Sequence, residues 1–102
     1  MNTRQALALA LRTIRKARSL SQEDFGVVSS RTYISSLERG LKSPTLDKLE
    51  AIADVMKVSP ATLVLVAYAI AQESNTSKAI DDIALAAKAL LPQLPRDDRS
   101  ER

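Results

Sequence analysis

The side chains between residues 20 and 48 are suited to making hydrogen bonds, not to breaking covalent ones. Gln22 opens one short apolar-periodic segment. Ser30, Arg31, Thr32, Ser35 and Ser36 fall on the polar side of the next, opposite Ile34 and Leu37. Arg31 is the charged member of that set, and its guanidinium is a planar fork of donors that pairs bidentately with a guanine edge or a phosphate. The hydroxyls are less specific, since each serves equally as a helix cap, a phosphate ligand or a water-bonded surface group. Catalysis has far less to work with. The 102 residues include no cysteine and no histidine, which removes thiolate chemistry, disulfides, zinc sites and His-based proton transfer together. The acidic residues are scattered over helix surfaces without a nucleophile–base constellation, so no enzyme, metal or cofactor is expected.

Charge points to the same stretch. The net charge is only +3, but residues 1–48 carry nine basic groups against four acidic ones, a balance of +5. Residues 49–102 carry six against eight, a balance of −2. A polyanion would therefore meet the first half.

The elements that must position these groups are helical. The chain is 45% apolar with two glycines, and its aromatics are Phe25, Tyr33 and Tyr68, which suits one small all-α domain built on aliphatic side chains. Asn2 and Gln5 have capping-box spacing, and Leu7, Leu11 and Ile14 recur on one face, which predicts a helix over residues 3–18. Ser21 caps a short helix over 22–27, with Glu23 and Asp24 in its first turn. Ser29 or Ser30 caps the next, which runs to about residue 39 and ends at Gly40. Thr45 caps a fourth, striped by Leu46, Leu49, Ile52, Ala53 and Met56; Ser59 and Pro60 start a fifth that reaches about residue 72. After a polar break, a sixth spans 78–91, with Ile80, Ile83, Ala84, Ala87, Leu90 and Leu91 on one side.

Two short helices joined by a tight turn in a basic setting outline a helix-turn-helix. Gly26 is expected to supply the small side chain where the two approach. The stretches LSQEDF (20–25), SRTYIS (30–35), LERG (37–40) and SPTLDKL (43–49) occur in one order, and over residues 7–67 the chain resembles the Cro and phage-repressor (Xre-like) family. The resemblance implies a five-helix lambda-repressor-like domain, here with an additional C-terminal helix. It implies base-facing positions at Ser30, Arg31, Thr32, Ser35 and Ser36, and phosphate-facing positions at Gln22, Tyr33, Arg39 and Lys42. Arg15 and Glu38 match a buried ion pair. One departure stands out: the family usually has two more residues between the small residue of the second helix and the cap of the third. Here Val27, Val28 and Ser29 make that turn alone.

Residues 61–70 are apolar nearly all round, so more than one face needs cover. A homodimer built on the last two helices, through Leu65, Tyr68, Ile80, Ile83, Ala87 and Leu90, would provide it; the alternative is the sixth helix folding back in a monomer. The homodimer would also set two recognition helices on a pseudo-palindromic operator in double-stranded DNA. The expected organisation is a DNA-binding domain over 1–71, a dimerising extension over 72–91 and a disordered tail over 92–102. The function expected is a sequence-specific transcription regulator, a repressor or autoregulator. The alternative is an antitoxin-like or other protein-interaction module with DNA binding secondary. Residues 1–11 lack the apolar core of a signal peptide, and the eleven-residue apolar run 61–71 is too short to span a bilayer. A cytoplasmic protein without a membrane partner is expected.

Overall fold

A computed structural model describes residues 1–72 and 75–95. It contains α1 (Thr3–Ala17), a 3-10 turn (Gln22–Phe25), α2 (Arg31–Glu38), α3 (Leu46–Val55), α4 (Pro60–Gln72), α5 (Thr76–Leu90) and a closing 3-10 turn (Leu91–Gln93). No strand occurs among the described residues, and the all-α class follows.

Each start has a local cause. Asn2 Oδ1 accepts the Gln5 amide at 2.8 Å while Gln5 Oε1 accepts the Asn2 amide at 3.0 Å, satisfying two of the free amides at the start of α1. Ser30, Thr45 and Asn75 cap α2, α3 and α5 through their side-chain oxygens. Ser59 Oγ accepts the Thr62 amide at 3.0 Å ahead of Pro60, which begins α4. Asn75 starts α5 two residues before the expected point. Gly40 adopts φ +72°, the left-handed conformation that ends α2 and lets the chain fold back.

The core is the inner face of every helix through α4. Ala6 and Ala10 of α1 are fully buried, and α1 packs principally on α4, where Leu63 and Ala67 meet it. Phe25, Ile34, Leu37, Leu49, Ile52 and Met56 complete the cluster. Burying Phe25 fully contributes about 1.5–3 kcal/mol and fixes the 3-10 turn beneath α2.

Several expectations change. The second helix is a single 3-10 turn over Gln22–Phe25, shorter than the expected 22–27. Leu46 points outward, 78% exposed, at the first position of α3. Gly26 does not make the close approach to α2. A Cβ there would meet only the Glu23 carbonyl, at 3.2 Å, and its backbone is ordinary right-handed. The 3-10 turn Leu91–Gln93 reaches into the tail expected from residue 92; residues 96–102 lie outside the described residues.

α5 stands apart. It packs on α4 and its own closing turn, and none of its residues is buried. No single helix among the described residues is long and apolar enough to cross a membrane. The pair Leu46–Val55 and Pro60–Gln72 passes by composition only when joined across a 101° bend, and much of it is the core just described.

Candidate nucleic-acid interface

α2 is an eight-residue helix held from behind. Ile34 and Leu37 are buried, and Glu38 at its last turn is only 5% exposed. The Glu38 carboxylate accepts Arg15 Nε at 2.5 Å and Arg15 Nη2 at 2.9 Å, a bidentate pair across α1 and α2. Arg15 Nη1 also donates to the Leu20 carbonyl at 2.8 Å, where α1 has just ended. The hydrogen bond to Glu38, opposed by burial and aided by its charge, holds the Arg15 guanidinium above its ordinary pKa. The guanidinium is thus locked as a cation.

Glu38 also reaches forward. Its Oε1 accepts Gln22 Nε2 at 3.1 Å, so one carboxylate orients the core-side Arg15 and the surface-side Gln22. Gln22, Arg31, Thr32, Ser35 and Arg39 then line one shallow concavity of about 320 Å³ on the outer side of α2. Five positions implied by the resemblance thus share one surface. Its chemistry is all donors and acceptors with two guanidinium groups, which suits base edges and phosphate oxygens.

The remaining positions behave differently. Ser30 Oγ accepts the Tyr33 amide at 3.1 Å and is spent on capping, with its O–H still free to donate. Ser36 is buried at 7% exposure, so it does not face the groove. Its backbone carbonyl accepts the Leu41 amide at 3.0 Å, in the pairing that closes α2 after Gly40. Tyr33 is half-buried, its ring centroid 5.6 Å from Lys42 Nζ and 5.4 Å from Lys48 Nζ.

Two residues escaped sequence reasoning. Glu23 Oε1 lies 3.2 Å from Arg31 Nε in an exposed ion pair, which contributes little to stability but must yield when Arg31 takes another partner. Lys48 donates from Nζ to the Val28 carbonyl at 2.9 Å, reaching from α3 to the turn before α2. No spacing rule links either pair. Lys48 did carry one signal, a cation in the first turn of a helix, where the dipole disfavours it.

A short helix fixed to the core by one face, preceded by a tight turn and presenting a basic polar face, defines a DNA-binding regulator of the helix-turn-helix class. The family model described as Helix-turn-helix (HTH_3) matches residues 11–63, just over half of the chain, and the chain belongs to this family of Xre/Cro-like domains. The fold also matches the crystal structure of ClgR, a clp gene regulator from Corynebacterium glutamicum, with TM-score 0.63 and 24% identity. That match covers 94% of this chain and 98% of the other, a share too large to leave α5 out. At that identity the likeness is one of fold. No curated protein matches the chain.

Proposed function

We propose that the protein is a sequence-specific repressor or autoregulator that binds a pseudo-palindromic operator as a homodimer in the cytoplasm. The observation that carries the reading is the convergence of Gln22, Arg31, Thr32, Ser35 and Arg39 on one concave, outward surface of α2. Arg31, Thr32 and Ser35 read base edges; Gln22, Arg39, Tyr33 and Lys42 hold phosphates. Homodimerisation is supported by α5. A helix of fifteen residues with none buried is marginal on its own, and its groove with α4, about 530 Å³ between Leu65, Tyr68, Ile83 and Ala87, is almost wholly apolar. A second copy laid on that groove buries it and sets the two α2 helices on successive major grooves.

Salt decides between this function and a protein-interaction module. Two phosphate-facing cations on each of two protomers, Arg39 and Lys42, give a slope of log K against log salt of about −4 by counterion release. Fluorescence anisotropy with a labelled duplex measures it. Steep salt dependence, together with retained binding to the DNA upstream of its own gene under excess competitor, is the expected result. A flat salt response overturns the reading in favour of a protein partner.

A further inference from the structure

Lys48 is the third residue of α3, its amide capped by Thr45 Oγ1 at 3.2 Å. A cation there faces the positive end of the helix dipole, where Asp47 is the favourable choice. What the ammonium holds in return is specific. The Val28 and Ser29 amides both bond back to the Phe25 carbonyl at 2.9 Å, and the Val28 carbonyl is taken by Lys48 Nζ at 2.9 Å. The same ammonium lies 5.4 Å from the centroid of the Tyr33 ring, on the first turn of α2. One side chain therefore ties α3, the shortened turn at residues 27–29, and the N-terminal end of α2.

We infer that Lys48 is a positioning residue for sequence discrimination: its ammonium sets the tilt of α2 by holding the Val28 carbonyl and the Tyr33 ring, without itself binding DNA. The inference rests on the proposed DNA-reading function. Ile34 and Leu37 fix the inner face of α2 against the core and Glu38 ties its last turn to Arg15, so the angle at which its N-terminal end rocks is left to the turn before it. The turn sets the rocking angle, and this turn carries no glycine and no spare residue to absorb a change. Arg31, Thr32 and Ser35 lie at the end that would swing. Base contacts depend on placement within a fraction of an ångström, whereas phosphate contacts through long side chains adapt.

The test uses the whole chain. A duplex enriched by the wild-type protein from a random-sequence pool, and a scrambled duplex of equal composition, are titrated over a salt series. Lys48→Met keeps the aliphatic stem and removes the ammonium; Lys48→Arg keeps a cationic donor. The ratio of the two affinities is expected to fall roughly tenfold in Lys48→Met, within the range of one lost bidentate base contact. Its salt slope is expected to stay at the wild-type value. Lys48→Arg should keep most of the ratio, and Lys42→Met should lower the slope by about two, one cation lost from each protomer, with the ratio intact. If Lys48→Met lowers the slope by about two and spares the ratio, Lys48 is a phosphate ligand and the inference fails. It fails equally if only the unfolding midpoint moves. Should Lys48→Met not fold, Lys48→Gln, uncharged and one bond shorter, is read by the same ratio. Failure of the wild type to enrich any sequence would overturn the DNA-reading function instead, and this inference with it.

Discussion

Replacing Glu38 by alanine is expected to lower the unfolding free energy by about 3–5 kcal/mol, the cost of leaving one partner of a buried ion pair alone. The side chains of Glu38 and Arg15 are 4% and 11% exposed, so solvent screens the pair little. The variant leaves Arg15 with the Leu20 carbonyl but without the acceptor for two of its donors. A buried lysine in that position could shed its proton; an arginine cannot. Its pKa in the folded chain is raised, so its stabilisation is complete below the ordinary arginine value and is lost only as pH climbs past it. The arginine side of the pair therefore adds no pH dependence near neutrality. Against a typical domain stability of about 5–15 kcal/mol, this one change removes a large fraction. Urea unfolding at constant m is the measurement. The double variant Arg15→Met/Glu38→Leu should recover most of the loss, because it removes the orphaned charge. A loss well under 1 kcal/mol for Glu38→Ala would mean that water reaches the pair.

The second large effect concerns the dimer proposal. Ile83 is 40% exposed and lines the α4–α5 groove with Tyr68 and Leu65. Ile83→Glu places a carboxylate in a surface that the partner must dry, at little cost to a protomer in which α5 is unburied. Linking two reading heads raises affinity by about 10²–10⁴ over one, so operator affinity should fall by that factor while helicity is kept. Sedimentation equilibrium should report a single chain, and the salt slope should halve. A variant that keeps both mass and affinity would move the interface elsewhere.

Much of this architecture was legible in the sequence because its signals are local. Caps at Asn2, Thr45 and Ser59 and the left-handed Gly40 each depend on residues three or four apart. The stripe from Leu49 to Met56 is long enough for its period to show. The rest depends on what covers a residue from outside its own element. α2 has eight residues, so a helical wheel leaves Ser36 on an apparently open flank, yet it is buried. Gly26 fits a close-approach position because two helices joined by a tight turn need a small side chain between them, yet a Cβ there would meet only the Glu23 carbonyl. Lys48 and Val28 are twenty positions apart and share no motif. The interface at α2 was read as a set of positions, while the carboxylate that orients Gln22 from beneath emerged only in three dimensions.

The central claim is that α2 reads base edges, with Arg31 the principal reader. The most direct test is a footprint on the DNA upstream of the gene, with wild type and Arg31→Ala compared at equal helicity and equal unfolding midpoint. Wild type should protect a bounded, two-fold related site. On the proposed reading Arg31 must leave Glu23 to bind, and its loss should cost about 1–3 kcal/mol of discrimination, so the variant's footprint should vanish or spread at the same protein concentration. A footprint unchanged in position and strength would contradict the docking of α2 through Arg31.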